Sequence, residues 1–209
     1  FPGVRIGHDT KFLCPECNLS LILTDKSCPK CGSPVLGFEV NGQGVYEVCS
    51  SENSDWEKWD FVDSERIGIW GWSGGGSNTL NCMFRYPEIY KTGIAIAFIS
   101  NQLLYDNIYQ ERYMNLPANN IEGYRDGSPI THAKNLKGNL LYIHGTGDDN
   151  VHYANAEMLV NELVKYNKQF QFMAYPNRTH GISEGEGTFE HLSTLYSDFL
   201  RKNCPGGGR

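Results

Sequence analysis

The sequence predicts an α/β chain in which helices flank a mostly parallel sheet, preceded by a small cysteine-rich β module. From residue 62 onward, short apolar runs alternate with stretches of helical pattern, which is typical of consecutive βαβ units. Residues 1 to about 60 differ, because they are rich in Cys, Pro and Gly and contain only short β-like runs. The sequence therefore predicts two domains, residues 1–60 and residues 61–209.

The composition limits the classes of function. A chain of 209 residues with 40% hydrophobic and 20% charged residues can bury a core, so extensive disorder is not expected. The net charge of -6 argues against nucleic-acid binding as the main function, because that function usually needs a basic surface. No apolar run approaches the roughly 20 residues of a membrane helix. We therefore expect neither a nucleic-acid partner nor a membrane segment.

Two Cys-x-x-Cys pairs, CPEC and CPKC, lie near the N-terminus with ten residues between them, at Cys14, Cys17, Cys28 and Cys31. Each pair can direct two thiolates at one ion, so together they complete a tetrahedral site for which Zn²⁺ is the expected metal. A four-thiolate iron site, two disulfides or free thiols are the alternatives. A closed four-cysteine site leaves no position for chemistry, so its role would be structural, as in the zinc-ribbon modules that this segment resembles.

A β-hairpin is predicted after the cysteine pairs. VLGFEV and VYEV have alternating apolar positions and flank NGQG, which contains turn-forming residues. Cys49 follows VYEV without a second thiol nearby, and we interpret it as an ordinary thiol.

In the second domain, four apolar runs are predicted strands: RIGIWG, GIAIAFI, NLLYIHG and FQFMAYP. The helical stretches between and after them predict one helix that ends near Tyr86 and others around 105–114, 154–167 and 188–202. Residues 116–138 form a long connection that contains Pro and Gly, which favours a surface loop near a site.

GWSGGG, residues 71–76, places Ser73 in a Gly-x-Ser-x-Gly pattern between a predicted strand and a predicted helix. Such a turn holds the serine in a strained and exposed position, and small neighbours avoid a steric clash there. The pattern favours a nucleophile elbow, although an ordinary glycine-rich turn has the same sequence appearance. A phosphate-binding loop is disfavoured, because there is no lysine at the position that such a loop requires.

An elbow serine needs a base and an acid, which follow it in the order Asp, His on later loops of α/β-hydrolases. TGDDNVH follows the strand NLLYIHG, and NRTHGI follows the strand FQFMAYP. Because the carboxyl ends of parallel strands share one edge of a sheet, Ser73, the pair Asp148 and Asp149, and His180 are expected at one site. The residues alone do not separate the two aspartates, and a surface-loop histidine is the alternative for His180.

Residues 62–204 resemble the C-terminal part of the catalytic domain of the prolyl oligopeptidase family, nearest to its dipeptidyl peptidase IV branch. The resemblance is carried by GWSGGG at 71–76, YDNIYQERYM at 105–114, HGTGDDNVH at 144–152 and HGI at 180–182. It implies a serine peptidase that cleaves peptides after proline or alanine, with Ser73 as nucleophile, Asp148 as acid and His180 as base. It implies no cofactor for catalysis.

The resemblance also implies roles around these three residues. The backbone N–H of Gly74, which stands where the family has a tyrosine, would bind the oxyanion. Tyr105, Tyr109 and Val151 would enclose a proline ring, and Asn150 would contact a substrate carbonyl. Aromatic walls suit proline, because it is apolar and lacks an N–H. Without the family, the simpler interpretation of Tyr105 and Tyr109 is contact between two helical residues four positions apart.

The family places a β-propeller and further sheet strands before the serine elbow, and neither is recognised in residues 1–61. We therefore expect a partial hydrolase sheet whose strand RIGIWG, apolar on both faces, has an open edge. The predicted hairpin, a partner chain, a second copy or a segment outside this sequence would cover that edge. The absent strands would also carry a second oxyanion donor, so weak or absent turnover is expected.

The sequence is compatible with two functions. One is a serine peptidase of the post-proline class, for which removal of dipeptides is not assumed because the propeller grips the substrate's amino terminus. The other is a non-catalytic interaction protein that joins a zinc-ribbon module to a degenerate hydrolase half. The family resemblance implies an exported protein, whereas a zinc–thiolate site suits a reducing compartment such as the cytosol. The sequence therefore does not indicate a single compartment.

Elemental analysis tests the predicted metal site. We expect one Zn²⁺ per chain, with Zn–S distances of about 2.3 Å. Replacing Cys14 and Cys17 with Ser should abolish the zinc content, whereas Cys49→Ser should leave it unchanged. A chain without metal, with its N-terminal thiols paired as disulfides, would contradict the prediction.

Overall fold

The computed structural model describes residues 12–13, 19–27, 34–40, 45–49 and 62–206. They belong to two compact units, residues 1–62 and residues 63–209, and each is described by itself. The predicted metal ligands lie outside the described residues: Cys14, Cys17, Cys28 and Cys31. In the part of the chain that is described, no helix has both the length and the apolar character needed to cross a membrane.

The described part of the first unit is an antiparallel sheet. Its strands are β1 (Phe12–Leu13), β2 (Leu19–Ser27), β3 (Pro34–Val40) and β4 (Val45–Cys49), and they lie side by side in that order. Val35 pairs with Cys49, and Glu39 pairs with Val45. The predicted pairing of VLGFEV with VYEV is therefore confirmed, while the turn between them, residues 41–44, lies outside the described residues.

The second unit contains a parallel sheet. Its strands are β5 (Gly68–Trp72), β6 (Thr92–Ile96), β7 (Asn139–Gly145) and β8 (Gln171–Tyr175), again in chain order. The register aligns their ends, since Trp72 pairs with Ile96, Ile96 with Ile143, and Gly145 with Tyr175. The carboxyl ends of these strands therefore lie along one edge, and the predicted α/β fold class is confirmed.

Five α-helices accompany this sheet among residues 62–206. They are α1 (Gly74–Arg85), α2 (Asn107–Met114), α3 (Ile121–Gly127), α4 (Ala154–Lys165) and α5 (Thr188–Asn203). Four of them, α1, α2, α4 and α5, fall where the sequence predicts helices. The helix α3 lies in the segment that the sequence predicts as a loop.

The two faces of the parallel sheet carry separate apolar clusters. Along β7 the side chains alternate, so that Leu140 and Tyr142 join one cluster and Leu141 and Ile143 join the other. Residues of α1 and α4 complete the first cluster, and residues of α5 complete the second. The sheet is thus packed between two helical layers, which explains why its strands are apolar on both faces.

The prediction of a long loop at residues 116–138 is wrong in part. This segment contains α3 between two 3₁₀ turns, Pro117–Asn119 and Pro129–Asn135. Each 3₁₀ turn begins with proline, whose fixed φ favours the first helical position. Tyr124 is buried, and its hydroxyl donates to the carbonyl of Asn115 at 2.8 Å. Burial of this side chain therefore orders a segment that its Pro and Gly content suggested to be irregular.

Within residues 62–206, the strand β5 is one edge of the sheet and β8 is the other. Trp70 on β5 is 67% exposed, whereas every residue of β6 is buried. A cavity of about 200 Å³ with apolar walls is lined by Trp70, Ile94, Ile96, Tyr196 and Leu200. The expected apolar edge at RIGIWG is therefore present in this unit.

The packing of α4 gives a stability prediction. Leu159→Ala should lower the free energy of unfolding by about 2–5 kcal/mol, because it leaves a cavity at a fully buried site. The adjacent Met158 is 40% exposed, so Met158→Ala should cost much less. Urea unfolding followed by circular dichroism measures both losses. Equal losses would contradict the orientation of this helix.

Candidate active site

Ser73 occupies a strained turn between β5 and α1. Its φ of 57° and ψ of -123° lie in a region that non-glycine residues rarely adopt, at a cost of about 1–3 kcal/mol. Its backbone N–H donates to the carbonyl of Ile96 on the neighbouring strand β6, at 2.8 Å. The pairing of β5 with β6 therefore helps to hold the strained turn in place.

The glycines around Ser73 are not equivalent. A Cβ atom on Gly71 would lie 2.3 Å from the backbone of Gly75, and one on Gly76 would lie 2.8 Å from the carbonyl oxygen of Ile96. By contrast, nothing lies within 4 Å of a Cβ atom built on Gly74 or Gly75. The expected need for small residues thus applies to Gly71 and Gly76, while the space beside Gly74 is open.

Gly74 is the first residue of α1. The N–H groups of a helix's first turn have no acceptor within the helix, and they carry the positive end of the helix dipole. The N–H of Gly74 is therefore suited to bind a developing negative charge next to the Ser73 side chain.

The carboxylate of Asp148 lies in the loop after β7 and is completely buried. Its Oδ1 accepts hydrogen bonds from the backbone N–H groups of Asn150 at 2.9 Å and Val151 at 2.8 Å. Its Oδ2 lies 2.9 Å from Nδ1 of His180, in the loop after β8. The structure therefore separates the two adjacent acids: Asp148 contacts the His180 ring, and exposed Asp149 only approaches the His180 N–H, at 3.5 Å.

The surroundings of Asp148 favour its ionised form. Burial raises its pKa, but hydrogen bonds from His144, His180 and the two backbone N–H groups outweigh burial and lower the pKa to about 2. The carboxylate is therefore charged at neutral pH and can hold the proton of His180 on Nδ1. That tautomer leaves Nε2 of His180 free to accept a proton.

His144 is a site residue that the sequence analysis did not single out. It lies on β7 with its side chain completely buried, and its Nε2 is 3.2 Å from Oδ2 of Asp148. An imidazole among the apolar residues of a buried strand was the available signal, because buried polar side chains generally have a specific partner.

The loop that carries His180 is held by hydrogen bonds from Trp72 and Arg178. The indole N–H of Trp72, just before the elbow serine, donates to the carbonyl of His180 at 2.9 Å. Arg178 donates to the carbonyls of Pro176 at 2.8 Å and Glu184 at 3.1 Å. The Trp72 bond ties the loop after β8 to the elbow after β5, and the Arg178 bonds connect residues within that loop. Among the described residues, the side chain of Ser73 itself makes no hydrogen bond, which is common for a nucleophile without bound substrate.

Among the residues predicted to bind substrate, Tyr105 contacts both Asn150 and Tyr109. The Tyr105 hydroxyl donates to Oδ1 of exposed Asn150 at 2.8 Å, and the Tyr105 and Tyr109 rings meet edge to face at 5.4 Å. Tyr105 precedes α2, so contact between two residues of one helix does not describe this pair. Tyr109 is 52% exposed, whereas Val151 is completely buried. Val151 contacts Asp148 through its backbone, and its proposed contact with a proline ring stays a prediction.

Among residues 62–206 and the described strands before them, no group of three or more His, Cys, Asp or Glu side chains is arranged to hold a metal ion.

The profile of the prolyl oligopeptidase family matches residues 54–205. Dipeptidyl peptidase 4 of Bos taurus is 39% identical over 164 residues, which cover 76% of this chain and 21% of that protein. Prolyl endopeptidase FAP of Homo sapiens is 37% identical over 176 residues, which cover 82% of this chain and 23% of that protein. The chain thus spans about a fifth of the length of these relatives.

A solved structure of a related protein also matches the fold of this chain. The crystal structure of dipeptidyl peptidase 4 from Porphyromonas gingivalis matches with a TM-score of 0.69 and 40% sequence identity. The match covers 71% of this chain and 21% of that chain. The parallel sheet of the second unit is therefore consistent with an α/β-hydrolase fold.

Acid unfolding tests the ionisation of Asp148. Its pKa is about 2 in the folded chain and about 3.9 in an unfolded chain. The ionised carboxylate therefore stabilises the fold above pH 4, and roughly 2 kcal/mol should be lost as the pH falls from about 4 to about 2.

Urea unfolding at a series of pH values measures this loss. Asp148→Asn should remove this part of the pH dependence, and Asp149→Asn, which changes an exposed carboxylate, should retain it. Identical pH profiles for the two variants would contradict the hydrogen bonding assigned to Asp148.

Proposed function

We propose a function from one premise: the chain belongs to the prolyl oligopeptidase family, whose model matches residues 54–205. The proposal is that it hydrolyses peptide bonds after proline or alanine, in the manner of dipeptidyl peptidase IV, through Ser73, His180 and Asp148. The observation that carries it is the hydrogen bond of 2.9 Å between His180 and the buried carboxylate of Asp148, beside the strained turn of Ser73.

In the proposed reaction, Ser73 Oγ attacks the carbonyl carbon of the scissile bond, which belongs to the proline or alanine residue. Nε2 of His180 takes the serine proton and then gives it to the leaving amine as the carbon–nitrogen bond breaks. Water, deprotonated by the same nitrogen, hydrolyses the resulting ester and restores the serine. Asp148 contributes by keeping Nδ1 protonated and by stabilising the imidazolium that forms in each step.

The negative charge on the substrate oxygen needs donors that are already in place. The N–H of Gly74 at the start of α1 is one such donor, and the open space beside Gly74 accommodates a substrate. Loss of a single oxyanion donor costs roughly 10²–10³ in rate. If Gly74 acts without a second donor, we expect the 209-residue chain to turn over substrate weakly.

The proposed proline site is connected to Asp148. The Tyr105 hydroxyl bonds to Asn150, and Asn150 follows Asp148 in the same loop, so the pocket wall and the acid are physically linked. Tyr109 extends the aromatic surface outward, where a pyrrolidine ring would pack against its face. These contacts support peptides with proline at the cleavage position as substrates.

The four-cysteine site is a separate proposal, in which Zn²⁺ holds the N-terminal segment without taking part in hydrolysis. The alternative function, a non-catalytic interaction protein, gains no support from the family match. The pairing of His180 with Asp148 also favours a working site, because it holds the imidazole in the tautomer that can accept the serine proton.

Active-site labelling tests the proposal. A fluorophosphonate probe should label the full chain at Ser73, because only an activated serine reacts readily. Ser73→Ala should abolish the labelling, and Ser64→Ala, which alters an exposed serine on a 3₁₀ turn, should leave it unchanged.

On a Gly-Pro chromogenic substrate, Ser73→Ala and His180→Ala should each remove nearly all of any activity that the parent chain has, because the triad acts as a unit. Labelling that persists in Ser73→Ala, or a parent chain that is not labelled at all, would contradict the proposed nucleophile.

A further inference from the structure

His144 is a buried imidazole for which the proposed reaction has no role. It is the penultimate residue of β7, and its Nε2 faces two acceptors, the carbonyl oxygen of Val151 at 2.9 Å and Oδ2 of Asp148 at 3.2 Å. Since neither acceptor carries a proton, Nε2 must carry one, which points to the Val151 carbonyl and has Oδ2 of Asp148 as its second, more distant acceptor.

The surroundings of the other ring nitrogen, Nδ1, indicate which tautomer His144 adopts. Nδ1 of His144 is buried and has no hydrogen-bond partner among the described residues. A proton on Nδ1 would be a buried donor without an acceptor, which is costly, so the tautomer with the proton on Nε2 is favoured. The rings of Phe98 at 5.5 Å and Tyr153 at 5.8 Å pack against the imidazole and hold its plane.

We propose that His144 is a positioning residue for the triad acid, whose Nε2–H holds Oδ2 of Asp148 in line with Nδ1 of His180. This inference rests on the proposed function, because the orientation of Asp148 matters only if His180 acts as a base.

The geometry explains why a second ring donor is needed. The backbone N–H groups of Asn150 and Val151 both bond to Oδ1, which Nδ1 of His180 also approaches at 3.2 Å, so these two backbone groups fix one oxygen and supply no donor to Oδ2. Among the described residues, the side chains that reach Oδ2 are those of His180 and His144. Because His180 gains and loses a charge at Nε2 during the proposed reaction while the buried ring of His144 takes no part in proton transfer, His144 is the donor that keeps Oδ2 in place throughout the cycle.

The same donor couples the Asp148 loop to the sheet. The carbonyl of Val151 and the carboxylate of Asp148 are three residues apart in the loop, and Nε2 of His144 bridges them from the rigid strand β7. The acid is therefore positioned by the sheet as well as by its own loop.

Three variants separate a positioning role from simple packing. His144→Phe keeps the ring and removes the donor. His144→Gln can place an amide N–H near the position of Nε2, whereas the shorter His144→Asn reaches only the position of Nδ1. If the phenylalanine variant fails to fold, the Gln and Asn variants still differ only in the reach of the donor.

The first measurement is the second-order rate constant for fluorophosphonate labelling of Ser73 in the full chain. His144→Asn and His144→Phe should react about 10-fold more slowly, and His144→Gln should recover to within about 3-fold of the parent chain. Where turnover is measurable, kcat should fall while KM stays unchanged. Thermal unfolding of each variant monitors the packing.

The second measurement is independent of reactivity. In proton NMR spectra, the far-downfield signal of the His180 Nδ1–H bound to Asp148 should weaken or disappear in His144→Asn and return in His144→Gln. If the parent chain is not labelled, the proposed function fails, and this signal still decides the role of His144. Equal labelling rates and equal NMR signals in the Asn and Gln variants would overturn the inference.

Discussion

The buried carboxylate of Asp148 is the constraint on which the rest of the site depends. A charged group without solvent contact is tolerated only when hydrogen bonds replace its lost hydration. Two backbone N–H groups meet Oδ1, and two imidazoles meet Oδ2. Those donors come from the loop after β7, the loop after β8 and the strand β7 itself. The register of the parallel sheet therefore determines whether the carboxylate can be ionised, and its ionised form fixes the tautomer of His180.

A second constraint acts at the other end of the proposed triad. The strained backbone of Ser73 is held by a hydrogen bond to β6, and its turn is compact because Gly71 lies directly against Gly75. Trp72 joins this turn to the loop of His180, although the two residues are 108 positions apart in the chain. Ser73 and His180, the proposed nucleophile and base, thus share one support. This arrangement suits a peptidase, because catalysis depends on small distances that a flexible loop would not maintain.

The sequence predicted those features that repeat along the chain or occur in compact motifs. The four parallel strands follow from continuous apolar runs, four of the helices from helical periodicity, and the pairing of the N-terminal hairpin strands from alternating apolar positions. The residues alone could not choose between Asp148 and Asp149, because the choice depends on which carboxylate the loop turns inward. His144 was missed for a related reason, since its role depends on a contact with a loop that folds back onto its own strand. Likewise, nothing in residues 116–138 indicated that Tyr124 would be buried and would order that segment.

A crystal structure of the chain after reaction with a peptide boronate that ends in boroproline tests the central claim most directly, because the boronate imitates the tetrahedral intermediate. The expected result is a covalent bond from boron to Oγ of Ser73, a boronate oxygen within hydrogen-bond distance of the Gly74 N–H, and the pyrrolidine ring against Tyr105 and Tyr109. A boronate bound to another residue, or a pyrrolidine ring away from the two tyrosines, would contradict it.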